Sequence, residues 1–241
     1  MPTFNRGKKA LESLNKMLNF SSKYNGKFLI LDNSSTKQRK HYLDIKHLSK
    51  DNDKITYIKK PFNTGFGGNL VDCFLYSDTK YIIIVSDEDI INIDQIPKLN
   101  KLFIENPGLL AVRSSIQGQG GEFKGNSYIF PEEVLTNVNE RFKRFSIFNN
   151  YISGSVYNRE VALKSGIIEK VRKKLHNHID YPHIYIDILL SGAGPVANTE
   201  IVLVLEGDNV SNESETEYIN AYQLGRRIDQ FVHMRDALYE S

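Results

Sequence analysis

The chain has 241 residues, of which 40% are hydrophobic and 25% are charged, and its formal net charge is +2. The near-balance of 31 basic and 29 acidic residues argues against a nucleic-acid-binding protein, which usually concentrates basic residues on one face. A single cysteine, Cys73, excludes an intramolecular disulfide. The chain has no apolar run long enough for a membrane span and no apolar signal-peptide core, so we expect a cytoplasmic protein.

The first half of the chain alternates helical and strand patterns. Apolar residues at helical spacing predict helices over 7–20, 36–49 and 70–76. Strands are predicted at three short apolar runs, 27–32, 55–59 and 81–85. This alternation is typical of a mostly parallel sheet that helices cover on both faces.

The second half is less regular. Its predicted helices cover about 94–106, 131–150, 158–175 and 218–239. Strands are predicted over 109–113 and 201–205, and the glycine-rich polar segment 117–127 is predicted to be a loop.

Three polar clusters directly follow or lie between the predicted strands of the first half. They cover residues 32–35, the glycine-rich segment 63–69 and residues 87–89. In a parallel α/β sheet, ligands bind beyond the carboxyl ends of the strands. We therefore expect the three clusters to converge at one edge of the sheet.

Asp87 and Asp89 flank Glu88 at the end of the most apolar predicted strand. Two carboxylates at this spacing can share a hard cation such as Mn²⁺ or Mg²⁺, which keeps other positions for diphosphate oxygens and water. The alternative is a polar turn that caps a helix. Asp32 has two interpretations as well: it can hydrogen-bond a base or ribose, or it can hold an Asx-turn.

Four segments together resemble the family-2 glycosyltransferases of GT-A fold, and they occur in the family order. They are Pro2-Thr3-Phe4-Asn5-Arg6, Leu31-Asp32-Asn33-Ser34-Ser35, the segment Asn63 to Asn69, and Ser86-Asp87-Glu88-Asp89. The resemblance implies an α/β protein with a mixed sheet flanked by helices. It also implies inverting transfer of a sugar from a nucleotide-sugar donor with the help of Mn²⁺ or Mg²⁺.

The resemblance implies a role for particular residues. The residues expected to bind the donor are Thr3, Asn5, Arg6, Asp32, Asn63, Gly65, Asn69 and Asp87. The expected metal ligands are Asp87 and Asp89. The implied domain covers 1–208, with a nucleotide-binding half at 1–95 and an acceptor half at 96–208, and a C-terminal helical extension follows at 209–241.

The match in the second half rests on fewer residues. Ser153-Gly154-Ser155 resembles the acceptor-side segment, and Asp180 is the implied catalytic base, although Ile179 replaces the glutamate that usually precedes it. Asp187 is the alternative base. Both can instead be structural, because Asp180 precedes Tyr181 and Pro182 and can cap the next helix. The pattern is similar to the branch that adds deoxysugars to bacterial surface polysaccharides, such as the abequosyltransferases.

In the family, a strand precedes the segment that resembles Pro2 to Arg6, and here only Met1 precedes it. We therefore expect the usual first strand to be missing, which would leave backbone groups of its neighbours unpaired. Three explanations are open: a misassigned start codon, a truncated chain, or another segment that fills the gap. An incomplete sheet also makes self-association into a homo-oligomer plausible.

Two other functions are considered. A degenerate paralogue would bind nucleotide or glycan without catalysis, whereas a sugar nucleotidyltransferase would show a glycine- and arginine-rich phosphate loop near its N-terminus, which this chain lacks. The expected acceptor is a glycan or a lipid-linked glycan. A lipid-linked acceptor would bring the protein to the inner face of the cell membrane. Four residues of the predicted C-terminal helix are candidates for contact with that surface: Arg226, Arg227, Phe231 and Tyr239.

Overall fold

The computed structural model describes residues 1–19, 26–119, 126–146, 151–175, 181–207 and 224–241, with backbone only over 224–229. The strands are β1 Pro2–Thr3, β2 Phe28–Asp32, β3 Ile55–Lys59, β4 Tyr81–Ile83, β5 Ile90–Ile91, β6 Ala111–Gln117, β7 Glu133–Leu135, β8 Ser155–Asn158 and β9 Val196–Leu205. The helices are α1 Gly7–Asn19, α2 Arg39–Asp51, α3 Gly65–Tyr76, α4 Ile96–Glu105, α5 Val138–Arg141, α6 Arg159–Lys164, α7 Ile167–Lys174, α8 Pro182–Ala193 and α9 Leu224–Glu240. A 3-10 turn at Ile93–Gln95 leads into α4, and a π turn at Phe142–Ser146 follows α5.

The strands form two sheets. In the first, β1, β2 and β3 lie side by side and run parallel. In the second, the order is β4-β8-β6-β9-β5, with β7 paired to β9. Only the β6–β9 pair is parallel among the described strands of this second sheet. The expected α/β fold, a mixed sheet flanked by helices, is confirmed.

Apolar side chains bury both faces of the sheets. On one face, α3, α7 and α8 pack around Phe74 and Tyr157, whose ring centroids lie 5.3 Å apart. On the other face, α1 and α4 contribute Leu14 and Phe103 to a second cluster of buried residues. Helix α1 buries the residues that recur at helical spacing, Ala10, Leu14 and Met17. The predicted helix over 7–20 thus corresponds to α1.

The glycine-rich segment differs from its prediction. Helix α3 begins at Gly65, so residues 65–69 form its first turns rather than a loop, and the predicted helix over 70–76 was too short. The side chain of Asn33 holds this start, because its oxygen accepts from the Thr64 N–H at 3.0 Å and its amide donates to the Gly65 carbonyl at 3.0 Å. A tertiary contact therefore offsets the low helix propensity of the glycines.

The helix predicted over 131–150 was wrong at its start. Glu133–Leu135 forms β7, which pairs antiparallel with β9, and only 138–146 is helical within the described part of that range. Strand β9 is also longer than predicted, since it begins at Val196 and not at 201. Both differences arise from pairing between strands that are far apart in the sequence.

The C-terminal helix α9 packs against α8. Ala237 is fully buried, and Glu240 forms an ion pair with Lys174 at 2.9 Å. Phe231 and Tyr239 are 70% and 84% exposed. Within the described residues, none of the helices combines the length and apolar character needed to cross a bilayer. The division of the chain at residue 208 stays a prediction.

Candidate active site

The three polar clusters predicted to converge do meet at one edge of the sheets. The Thr3 hydroxyl, at the end of β1, donates to Asp87 Oδ2 at 2.8 Å. Asn33, just after β2, donates to the Asn63 side-chain oxygen at 2.7 Å. The Asn5 N–H donates to Ser35 Oγ at 2.8 Å. These contacts bring the ends of β1, β2 and β4 and the start of α3 together.

Arg6 faces two carboxylates beyond β4. One guanidinium nitrogen lies 3.1 Å from Asp87 Oδ1, and another lies 2.8 Å from Glu88 Oε2. Burial raises the pKa of Asp87 well above its ordinary value, Arg6 acts in the opposite direction, and Glu88 adds to the rise. Arg6 is the partly exposed member of this group, with its side chain 31% accessible. The site therefore consists of buried carboxylates with one partly exposed guanidinium group, that of Arg6, at its edge.

Asp89 is held entirely by protein groups. Its Oδ1 accepts from the Tyr151 hydroxyl and the Gly207 N–H, each at 2.8 Å. Its Oδ2 accepts from Tyr151 at 2.8 Å and from the Ser153 hydroxyl at 2.6 Å. Burial raises the pKa of Asp89, and the hydrogen bonds from Ser153 and Gly207 lower it. Segments before β8 and after β9 thus orient the last carboxylate of the motif.

Asp32 lies fully buried at the end of β2. Its Oδ1 accepts from the Ser35 N–H at 2.8 Å, which is the Asx-turn interaction, and its Oδ2 accepts from the Tyr57 hydroxyl at 2.7 Å. Asn69, on α3, donates to the Leu31 carbonyl at 3.0 Å, while its buried Oδ1 has no partner among the described residues. In this structure both side chains support the end of β2.

Asn63 and Gly65 are the exposed members of the predicted donor site. Asn63 Oδ1 accepts from the Gly65 N–H at 2.8 Å, and Gly65 has a φ of +74° with open space around it. Beneath them, the buried ammonium of Lys60 contacts Thr64 and forms an ion pair with Asp72. Asp72 offsets the charge of this lysine, so the feature that favours an anion here is the exposed start of α3 itself.

Asn5 shapes the loop after β2. Its Oδ1 accepts from the backbone N–H groups of Thr36 and Lys37, each at 2.9 Å. Its own backbone has a φ of 56°, a left-handed conformation that asparagine tolerates better than most residues. Asn5 therefore fixes the segment that approaches Arg6 from the β2 side.

Of the two candidate catalytic bases, only Asp187 lies within the described residues. Asp180 lies outside the described residues. Asp187, on α8, is fully buried, with Oδ2 2.7 Å from the Arg113 guanidinium and Oδ1 accepting from the Tyr157 hydroxyl at 2.9 Å. Burial raises the pKa of Asp187 to about 6, and Arg113 acts in the opposite direction. The Arg113 guanidinium also stacks 4.4 Å from the Phe145 ring centroid.

The acidic motif can be tested for its fit to a divalent cation. Two carboxylates, those of Asp87 and Glu88, face a single guanidinium, and carboxylate oxygens are the ligands that Mn²⁺ and Mg²⁺ take. Burial already raises the pKa of both Asp87 and Asp89, so a cation would relieve their charge. Both oxygens of Asp89 already accept hydrogen bonds here, and the described residues include no cluster of three or more ligands. The carboxylate ligands therefore fit a divalent cation, provided that the Tyr151 hydroxyl releases one oxygen of Asp89.

The sequence comparison places this site in a family. The model of Glycosyl transferase family 2 matches residues 1–166, which include every part of the acidic and glycine-rich clusters. The chain belongs to this family and is therefore a glycosyltransferase. No curated protein matches the sequence.

Solved structures share the fold at low sequence identity. The crystal structure of S. aureus TarS 1–349 superposes with a TM-score of 0.65 at 11% identity, over 99% of this chain and 70% of that one. A second TarS structure gives 0.64 at 13% identity, over 94% of this chain and 42% of that one. The mannosyltransferase PcManGT from Pyrobaculum calidifontis, in complex with GDP-Man and Mn²⁺, gives 0.62 at 10% identity, over 100% and 63%. These likenesses support the GT-A fold.

Several residues around the motif were not among the predicted site residues. Tyr151, Ser153 and Gly207 hold Asp89, and Tyr42 accepts from the Arg6 N–H at 3.0 Å. Ser153 alone carried a signal in the sequence, because it belongs to the Ser-Gly-Ser segment that resembles the family. The others are brought in by strand pairing that no local pattern indicates.

Proposed function

We propose that the chain transfers a sugar from a nucleotide-sugar donor, with inversion and with Mn²⁺ or Mg²⁺, onto a glycan or lipid-linked acceptor. The observation that carries the proposal is the contact of Asp87 with both Thr3 and Arg6. It assembles the N-terminal segment and the acidic motif, which are separate in the sequence, into one buried anionic site at the ends of β1 and β4.

Each residue has a distinct role in this proposal. Asp87 and Asp89 hold the cation, which neutralises the charge that develops on the diphosphate leaving group. Arg6 supplies a second positive charge at the exposed rim. Asn63 and Gly65 present the start of α3, where anions are favoured, to the donor.

Asp180 is proposed as the base that removes the proton from the acceptor hydroxyl, since it immediately precedes the segment that begins α8. Asp187 remains the alternative, and its pKa of about 6 suits a base near neutral pH. Its full burial and its bonds to Arg113 and Tyr157 favour a positioning role instead. The rate of transfer by Asp180→Asn and Asp187→Asn separates the two, because loss of the base lowers kcat far more than KM.

The branch of the family is also part of the proposal. We assign the chain to bacterial surface polysaccharide synthesis, with a hexosyl or deoxyhexosyl donor, on the resemblance of the second half to the abequosyltransferases. A lipid-linked acceptor would bring the protein to the inner face of the membrane. Phe231 and Tyr239 on α9 are exposed and available to contact that surface.

The deciding experiment is calorimetric titration with UDP, GDP, CDP and dTDP, each in Mn²⁺ and in EDTA. We expect one nucleotide to bind only with metal, and Asp89→Ala to abolish that binding. Asp51→Asn, an exposed carboxylate on α2, is the matched control and should bind like the parent chain. If the folded protein binds none of the nucleotides, the proposed donor site is wrong and a non-catalytic role is favoured.

A further inference from the structure

A closed network of polar contacts joins Arg6, Tyr42, Thr3 and Asp87. The Arg6 N–H donates to the Tyr42 hydroxyl at 3.0 Å, and this hydroxyl lies 2.9 Å from Thr3 Oγ1. The Thr3 hydroxyl donates to Asp87 Oδ2 at 2.8 Å, and the Arg6 guanidinium lies 3.1 Å from Asp87 Oδ1. Both oxygens of Asp87 are therefore held, and Tyr42 is the member of the network that α2 contributes.

The direction of each hydrogen bond follows from the protons available. An ionised carboxylate only accepts, so the single hydroxyl proton of Thr3 goes to Asp87. Tyr42 then donates its own proton to Thr3 Oγ1, while the Arg6 N–H donates to the Tyr42 oxygen. Hydrogen bonds that run in one direction polarise each other, so the Tyr42 hydroxyl strengthens the bond from Thr3 to Asp87.

The packing of α2 against α1 fixes the position of the Tyr42 side chain. Tyr42 is 4% exposed, and its ring centroid lies 6.5 Å from that of Tyr57. A Cβ at Gly7 would lie 2.9 Å from both Cδ2 and Cε2 of Tyr42, so glycine at this position leaves the room that the aromatic ring occupies. The hydroxyl group of Tyr42 is thus held at a set distance from Thr3.

We propose that Tyr42 is a positioning residue of the donor site, which acts through Thr3 to hold Asp87 in the orientation that binds the cation. This role rests on the proposed function and adds to it a residue outside the four segments that resemble the family. Without the Tyr42 hydroxyl, the buried Thr3 oxygen loses its donor and the Thr3 proton can turn away from Asp87. Cation binding weakens as a result, because it needs its carboxylate ligands in a fixed geometry.

Tyr42→Phe is the test variant, because it keeps the aromatic ring beside Gly7 and removes the hydroxyl group alone. Mn²⁺ is titrated calorimetrically into the full chain, first without nucleotide and then with UDP, GDP, CDP or dTDP. We expect the Kd for Mn²⁺ to rise roughly tenfold, the usual effect of losing a hydrogen bond that supports a charged group. Tyr185→Phe is the matched control, since it removes a hydroxyl from a buried tyrosine on α8 and should leave the Kd unchanged.

Variants of Thr3 separate positioning from a general loss of stability. Thr3→Val removes the group through which Tyr42 acts, so adding Tyr42→Phe to it should change the Kd for Mn²⁺ by less than about twofold. Thr3→Ser keeps the hydroxyl, and in that background Tyr42→Phe should again raise the Kd roughly tenfold. Thermal unfolding checks that each variant is folded at the temperature of the titration.

Gly7→Ala is a second, independent variant. It keeps the Tyr42 hydroxyl but displaces the aromatic ring, and it should also raise the Kd for Mn²⁺. Alanine favours a helix more than glycine does, so a weaker α1 would not explain that result.

The outcomes distinguish this role from the proposed function. If the parent chain binds Mn²⁺ neither alone nor with any of the four nucleotides, the proposed metal site is wrong and the role of Tyr42 is overturned with it. If the parent chain binds Mn²⁺ and Tyr42→Phe binds it equally well, the donor site stands and the positioning role alone is overturned. Additive effects of Tyr42→Phe and Thr3→Val on the Kd would overturn it as well.

Discussion

The hydroxyl group of Tyr151 lies 2.8 Å from both carboxylate oxygens of Asp89. Its single proton is shared between the two oxygens, and each oxygen accepts one further bond, Oδ1 from the Gly207 N–H and Oδ2 from the Ser153 hydroxyl. Tyr151 is therefore the group that a cation has to displace from Asp89. Its contact across 62 residues of sequence couples the segment before β8 to the acidic motif.

Tyr151→Phe removes this competitor and leaves the other partners of Asp89 in place. We expect the Kd for Mn²⁺ to fall roughly tenfold, because a hydrogen bond to a charged group contributes about 1.5 kcal/mol. Calorimetric titration of the variant with Mn²⁺ measures the change. Tyr239→Phe, which alters an exposed tyrosine on α9, should leave the Kd unchanged. Weaker Mn²⁺ binding by the Tyr151 variant would show that the hydroxyl supports the metal site.

Asn5→Ala should lower the free energy of unfolding by about 2 kcal/mol. About half of this comes from the lost bonds to Thr36 and Lys37 and half from the left-handed backbone at a φ of 56°. Asn5→Asp keeps the acceptor oxygen and the tolerance for this conformation, so its loss should be smaller. Urea denaturation of the two variants provides the measurement. Equal losses would mean that neither the bonds to Asn5 Oδ1 nor the left-handed backbone accounts for the effect.

The sequence could predict the convergence of Asp87, Asn63 and Ser35, because each follows a strand or begins a helix of a repeating βαβ pattern. It could not predict the partners of Asp89, which lie 62, 64 and 118 residues away. Those contacts depend on how β8 and β9 align with β4 and β6, and strand alignment leaves little local signal. The sequence therefore predicts the acidic residues of the site, but it does not predict the residues that orient them.

The segment over 131–150 is a second case in which contacts distant in the sequence decide the structure. Its apolar spacing suits a helix, but Leu135 pairs with Val196 in β7 and β9, and Glu133 Oε1 accepts from the Asn198 side chain at 2.8 Å. Packing against a neighbouring strand overrides the local preference there. Residues 65–69 show the reverse, since contacts from Asn33 make a glycine-rich segment helical.

The ionisation of Asp187 should make stability depend on pH. Its pKa is about 6 in the folded protein and about 3.9 in an unfolded chain, so the folded state binds the proton more tightly. Stability from this group is fully present below pH 4 and is lost as the pH rises through 6, by up to about 3 kcal/mol. Urea denaturation of the parent chain and of Asp187→Asn from pH 4 to pH 7 isolates the effect. The parent chain should show the steeper fall, and parallel curves would contradict the raised pKa.

Gly154→Ala should be among the most damaging small substitutions in the chain. A Cβ there would lie 2.4 Å from Ser114 Oγ and 2.6 Å from Val204 Cγ2, at a φ of +84°. We expect a loss of about 3 kcal/mol or more, since overpacking adds to the backbone strain. Gly166→Ala is the matched control, because its φ of +73° carries the strain in open space, and it should lose only about 1 kcal/mol. Thermal unfolding compares the two. Because Ser153 precedes Gly154 and holds Asp89, the Gly154 variant should also lose metal-dependent nucleotide binding while the Gly166 variant keeps it.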